Sequence, residues 1–271
     1  MTELPETLPL LRFGRQGPYL HFSHANGFPP EAYRPLLSAL GASLRVLASP
    51  LRPLWPDADP QSITDWSPLA ADLIALLEKQ GLGPLIGCGH SVGATATLIA
   101  ALQRPDLFRA LVLIDPVLMP HWLGHVWRLA TRLGFARRLH PLLSATPRRR
   151  RVFESREQMF TLYRRKRVFA RLSDEALEAY VAAIAAPRPE GGVVLRYSPE
   201  WEERIYLTGI LRDPTTWREL SALQLPVLLL RATETDAFYP QAAAAFLRRV
   251  PHAELQVVPD SSHLLPLERP Q

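Results

Sequence analysis

Short apolar runs, separated by polar and glycine- or proline-rich punctuation, organise the first part of the chain. Tyr19-Leu20-His21-Phe22-Ser23, Leu44-Arg45-Val46-Leu47-Ala48, Leu85-Ile86-Gly87-Cys88 and Ala110-Leu111-Val112-Leu113-Ile114-Asp115 have the length and composition of buried strands. A helical pattern runs from about Asp65 to Gln80 and opens on Asp65-Trp66-Ser67-Pro68, and another helical composition follows Gly93. Strands alternating with helices predict a mostly parallel sheet flanked by helices. The pattern changes at Val117. From there to about Leu223 the chain is rich in arginine, alanine, leucine and aromatics, with helical spacing and little strand character. Strand patterns resume at Pro226-Val227-Leu228-Leu229-Leu230 and from Glu254 to Val258. The predicted organisation is an α/β core over residues 1–116 and 224–271, interrupted by a helical insertion over 117–223.

The run that begins at Leu85 stops at Gly89-His90-Ser91-Val92-Gly93, which places Ser91 where a strand turns sharply into a helix. Such a turn strains the serine backbone and tolerates only small neighbours, hence the flanking glycines. It lifts the hydroxyl out of the sheet and aims helix N-terminal amides at a developing anion. A serine hydroxyl becomes a nucleophile only when a base takes its proton and an acid orients that base. His263, in Pro259-Asp260-Ser261-Ser262-His263 just past the last strand, is the predicted base. Asp236, on the loop after Pro226–Leu230, is the preferred acid, with Glu234 as runner-up. Asp115 ends another core strand at the same edge and stands as a further choice. His90 next to the serine is expected to pack, and His21 and His24 to act as hydrogen-bonding scaffold.

The order Ser91, Asp236, His263 resembles the α/β-hydrolase superfamily. The resemblance extends over nearly the whole chain through His24-Ala25-Asn26-Gly27-Phe28, the Gly89-to-Gly93 turn, the loop to Asp236, and Ser262-His263-Leu264-Leu265-Pro266. It is most similar to bacterial esterase- and lipase-like hydrolases with a His-Ala-Asn-Gly-Phe loop and a large helical lid. The resemblance implies an α/β-hydrolase fold, with the lid inserted between the sixth and seventh core strands. It also implies an oxyanion hole built from the backbone amides of Val92 and Asn26. Ala25 replaces the usual glycine, which leaves the amide of Phe28 as the alternative donor. Some relatives take their acid from the position of Asp115.

Composition narrows the picture further. At 271 residues, 47% hydrophobic and 21% charged, the chain is an ordinary globular one. Met1 to Thr7 lacks the basic-then-apolar arrangement of a secretory signal, and no apolar run reaches the roughly 20 residues of a membrane span. One cysteine, Cys88, suits a reducing cytoplasm and reads as inert core. No Cys/His cluster has metal-ligand spacing, and no metal or cofactor is expected. Residues 117–223 hold 19 Lys/Arg and 11 Asp/Glu, a net of +8 against +5 for the whole chain, leaving −3 for the rest. The excess gathers in Arg148-Arg149-Arg150-Arg151 and Arg164-Arg165-Lys166-Arg167. Without a nucleic-acid-binding fold it reads first as a solvated face, and second as a docking patch for an anionic carrier.

Together these readings predict a serine hydrolase that cleaves a carboxylic ester or thioester of a small to medium hydrophobic substrate through an acyl-enzyme. Insertion aromatics such as Trp122, Trp127, Phe135, Phe160, Tyr163, Phe169, Tyr180 and Trp201 are expected to form a helical core and in part to roof the pocket. A serine in place of an aspartate speaks against dehalogenase and epoxide hydrolase chemistry. The alternatives are carbon–carbon bond hydrolysis, lactone hydrolysis and cofactor-free perhydrolysis, or a ligand-binding member without turnover.

Overall fold

The computed structural model describes residues 4–271. Strands β1 (Leu11–Phe13), β2 (Tyr19–Ser23), β3 (Arg45–Ser49), β4 (Leu85–His90) and β5 (Phe108–Ile114) are interleaved with helices α1 (Arg34–Leu40), α2 (Ser67–Lys79) and α3 (Val92–Gln103). The insertion follows. It comprises α4 (His121–Arg132), α5 (Ala136–Leu139), α6 (Pro141–Ala145), β6 (Val152–Phe153), α7 (Arg156–Arg164), α8 (Asp174–Ile184), β7 (Ala185–Pro187), β8 (Val193–Leu195), α9 (Pro199–Thr208) and α10 (Asp213–Glu219). Strand β9 (Val227–Glu234), α11 (Pro240–Arg249), β10 (Glu254–Ser262) and α12 (Leu265–Glu268) complete the fold.

Among the described residues, seven strands form the main sheet in the order β1-β3-β2-β4-β5-β9-β10. Only β1 runs antiparallel, against β3; every other pairing is parallel. This is the α/β-hydrolase architecture, with helices on both faces. The reason lies in the strands themselves, whose central members are apolar on both sides and must be covered twice. Helix α3 shows the same demand, since every residue from Val92 to Ala101 is buried between the sheet and α2.

The insertion enters between β5 and β9, which are neighbours in the main sheet. It is not wholly helical. Strands β6, β8 and β7 pair antiparallel into a small three-stranded sheet, built around Val193-Val194-Leu195, whose β-branched residues are too few to signal a strand. Its apolar residues do not form one separate core. Tyr180, Leu177 and Ile184 of α8 are buried with Leu20, Phe22 and Leu37 on one face of the sheet. Trp201, Ile205 and Trp217 are buried with Leu69 and Leu73 on the other. The insertion therefore straddles the carboxyl edge of the sheet and is cemented to both sides. Among the described residues, no helix is long and apolar enough to cross a membrane.

Candidate active site

At the junction of β4 and α3, Ser91 has φ 56° and ψ −124°, a region disfavoured for a side-chain-bearing residue. Two close approaches explain its glycine neighbours. A Cβ on Gly89 would lie 2.6 Å from the amide nitrogen of Ala94, and one on Gly93 would lie 2.2 Å from the carbonyl oxygen of Ser23. The Ser91 amide donates to the Ile114 carbonyl at 3.0 Å, tying the turn to the neighbouring strand end.

The Ser91 hydroxyl lies 2.9 Å from Nε2 of His263, and Nδ1 of His263 lies 2.6 Å from a carboxylate oxygen of Asp115. Nδ1–H must donate to that carboxylate, which leaves Nε2 to accept the serine proton. The acid at the histidine is thus Asp115, correcting the preference for Asp236. Asp236 is exposed and makes no hydrogen bond to His263, and Glu234 is exposed and paired with Arg171 at 2.6 Å. The cause is register. His90 pairs with Ile114, so the two strands end level and the next residues, Ser91 and Asp115, emerge side by side. The β9 end supplies support instead of the acid, because Thr235 Oγ1 and the Ala232 amide both donate to the fully buried Asp115 carboxylate.

The loop after β2 makes a tight turn in which the Phe28 amide donates to the Ala25 carbonyl at 3.2 Å, with Gly27 at φ 74°. That bond occupies the alternative donor, Phe28. The amides of Asn26 and Val92 have no acceptor among the described residues. The Asn26 side chain, unassigned from sequence, is bolted to the insertion at both ends. Its Nδ2 donates to the Glu202 carbonyl at 3.1 Å, and its Oδ1 accepts from the Tyr197 hydroxyl at 2.8 Å. Phe28 stacks on Tyr180 with ring centroids 4.6 Å apart, so the insertion and this loop meet over the serine side of the sheet.

His90 does more than pack. Its Nδ1 accepts from the Tyr33 hydroxyl at 2.7 Å and its Nε2–H donates to the His263 carbonyl at 2.7 Å. Tyr33 also accepts from the Ala25 amide at 3.3 Å. Burial, with the charge of His263 nearby, holds His90 well below the ordinary histidine range. His21 and His24, the expected scaffold, are both fully engaged: His21 with Ser49 at 2.9 Å, His24 with the Ala25 carbonyl at 2.8 Å and the Leu51 amide at 2.9 Å. Burial lowers each to about 4. Burial also pushes the Cys88 thiol up to about 12, which suppresses its thiolate.

The two arginine runs are mostly exposed, but several members are tied down within the insertion. Arg149 donates to Glu202 at 2.6 Å and to the Tyr163 hydroxyl at 2.9 Å, directly above Gly27. Arg151 pairs with Glu200, and Arg164 donates to the Leu172 carbonyl at 2.8 Å. Of the expected roof aromatics, Trp127, Tyr163, Phe169, Tyr180 and Trp201 are buried and Phe160 is half-buried, while Trp122 and Phe135 are exposed. Among the described residues no three His, Cys, Asp or Glu side chains gather as a metal site.

A profile of the alpha/beta hydrolase family matches residues 22–271. An epoxide hydrolase of Caballeronia sordidicola is 34% identical over 99 residues, 35% of this chain and 30% of that protein. A probable esterase of Oryza sativa subsp. japonica is 30% identical over 132 residues, 46% of this chain and 47% of that protein. The chain thus spans less than half the length of these curated relatives. The crystal structure of E-2-(acetamidomethylene)succinate hydrolase superposes with a TM-score of 0.77 at 20% identity, covering 97% of this chain and 90% of that one. With 250 matched residues that include the strained serine turn and its histidine, the chain belongs to the alpha/beta hydrolase family.

Proposed function

We propose that this hydrolase cleaves a carboxylic ester or thioester of a small to medium hydrophobic acid through an acyl-enzyme on Ser91. The observation that carries this reading is the unbroken chain Ser91 Oγ, His263 Nε2, His263 Nδ1, Asp115 Oδ2, at 2.9 and 2.6 Å. In that arrangement His263 accepts the hydroxyl proton as Ser91 attacks the carbonyl carbon. It then returns the proton to the leaving alcohol or thiol, and water repeats the cycle to release the acid. Asp115, buried and fixed by Thr235 and Ala232, holds the imidazole tautomer and stabilises the imidazolium that forms. The unpartnered amides of Asn26 and Val92 serve the oxyanion, a contribution of about 3 kcal/mol for each donor. An esterase-named relative supports ester chemistry. The epoxide hydrolase relative shares the family, but Ser91 in the strained turn favours an acyl intermediate. The buried aromatics of the insertion, among them Tyr180 stacked on Phe28 in the loop that carries Asn26, support an apolar acyl group, and the single buried thiol suits a reducing cytoplasm.

The test is a series of p-nitrophenyl esters of increasing acyl length, run beside labelling with a fluorophosphonate. Wild-type protein should turn over at least one member and be labelled once, at Ser91. The Ser91→Ala variant should lose both properties. Esterase activity undiminished in Ser91→Ala would overturn the reading.

A further inference from the structure

A groove of about 480 Å³, lined by none of the residues of the Ser91 site, lies where α4 and α10 of the insertion meet α11 of the core. Its walls bring together Arg128, Arg218 and Arg249 with His125, Thr215 and Ser221, and among the described residues they contain no carboxylate. The neighbouring acids are otherwise engaged. Glu219 pairs with Arg212 at 2.9 Å, and the buried Asp213 accepts from the Met119 amide at 2.8 Å. The cations are also held in place from different elements. Arg128 donates to the Leu211 carbonyl at 3.0 Å, Arg218 to the Thr215 hydroxyl at 3.2 Å, and Arg249 lies 5.1 Å from the Trp217 ring centroid. Each retains further N–H donors, and accepting from Arg218 leaves Thr215 its own O–H to give. Three guanidinium groups and two hydroxyls lining one groove, without an opposing acid among the described residues, suit the oxygens of a phosphoryl group.

The groove is far larger than phosphate alone, and it adjoins a second hollow of about 220 Å³ that shares Trp217 and Arg249. Beyond those two, that hollow is walled by Pro120, Ala242, Ala245 and Trp122, whose indole is 57% exposed, together with Gln241 and Arg248. We propose that this seam is a binding site for an organic phosphate, the phosphoryl group on Arg128, Arg218 and Arg249 and an apolar chain against Trp122. The site is independent of the ester chemistry at Ser91. It also shares no residue with the arginine runs at 148–151 and 164–167.

Titration calorimetry of the full chain with inorganic phosphate and with hexyl phosphate tests the site, at fixed salt. Hexyl phosphate should bind one to one and at least tenfold more tightly than inorganic phosphate. Trp122→Ala should remove most of that advantage and leave phosphate binding alone. The triple variant Arg128→Gln, Arg218→Gln, Arg249→Gln should weaken hexyl phosphate at least tenfold. A charge-matched control, Arg148→Gln, Arg165→Gln, Arg167→Gln at exposed positions of the insertion, should stay within twofold of wild type. Co-sedimentation with phosphatidylglycerol vesicles, lost in the first triple variant and absent with phosphatidylcholine, would identify a lipid headgroup as the source; binding to hexyl phosphate alone would identify a soluble phosphate ester. Equal weakening by both triple variants would reduce the effect to diffuse charge and overturn the proposal, as would the absence of saturable binding.

Discussion

His90 donates its Nε2–H to the backbone carbonyl of His263 across 2.7 Å, so the residue before the proposed nucleophile holds the loop that carries its base. The bond has a counterpart on the opposite side of the same ring. Nδ1 accepts from Tyr33, which in turn accepts from the Ala25 amide in the loop after β2. One buried imidazole thereby links the base loop and the proposed oxyanion loop to the end of β4. Three parts that must agree to within a fraction of an ångström share a single rigid reference.

Removing that reference should move kcat rather than KM. His90→Phe keeps an aromatic ring, though a larger one, and leaves the Tyr33 hydroxyl and the His263 carbonyl without their partner. A buried polar group left unsatisfied costs about 1–3 kcal/mol, which corresponds to roughly a 5- to 150-fold loss. We expect kcat to fall in that range with KM within about twofold. Tyr33→Phe should cost less, and the double variant should resemble His90→Phe, since both act through one chain of bonds. Additive losses in a double-mutant cycle would refute a shared role.

The acid assignment separates cleanly by substitution. Asp115→Asn should lower kcat about 10⁴-fold, because an amide at Nδ1 favours the wrong tautomer for accepting the Ser91 proton. Asp236→Asn and Glu234→Gln should each stay within about threefold of wild type. Thr235→Val should fall between these extremes, since it removes one donor to Asp115 and leaves the Ala232 amide in place. A severe Asp236→Asn with a mild Asp115→Asn would reverse the assignment.

What the sequence made legible, and what it hid, follows from the range of the interactions involved. The turn at Ser91 is local: its strand, two glycines and helix lie within a dozen residues, so composition suffices to place it. His263 is nearly as local, since it follows directly on the last strand. The choice between Asp115 and Asp236 is not, because both end strands at the same edge. Only the pairing of β4 with β5, and the rotation of the Asp115 backbone to φ 44°, decides which carboxylate meets the ring. The grip of Tyr197 and Glu202 on Asn26 spans 171 and 176 residues and leaves no periodic trace. The small insertion sheet was lost for another reason. Its strands of two and three residues are shorter than any pattern that alternation can register.

Buried histidines set the dependence of stability on pH. His21 and His24 titrate near 4 in the folded protein, and His90 is lowered too, chiefly by burial. Between about pH 4 and 6.5 the unfolded chain binds protons that the native state refuses. Stability is therefore full above 6.5 and is lost on acidification, by about 1.4 kcal/mol per pH unit for each histidine. Asp213 acts in the opposite sense. Burial raises it to about 8 against the partial help of the Met119 amide, so its contribution fades as pH rises from 4 towards 8. Urea midpoints should peak near pH 6.5–7 and fall on both sides. Asp213→Asn should flatten the alkaline limb and steepen the acid one. An acid limb that remains shallow in that variant would count against neutral native histidines.

Asn26 gives the sharpest test of how the insertion supports the site. Its amide is the proposed oxyanion donor, and its side chain is clamped between Tyr197 and the Glu202 carbonyl, both on the insertion. A purely main-chain role would make Asn26→Ala nearly silent. The clamp instead predicts a fall in kcat of about tenfold, as the loop loses two bonds worth about 1 kcal/mol each. Tyr197→Phe should reproduce part of that loss from the other side, with no effect once Asn26 is already alanine. Asn26→Asp keeps the acceptor for Tyr197 but places a carboxylate where Nδ2 faced a carbonyl, and it should be worse than alanine. Fluorophosphonate labelling should slow in parallel with ester turnover in all three variants, because both reactions place an oxyanion in the same hole. Slowed turnover with undiminished labelling would shift the role of Asn26 from that hole to substrate binding.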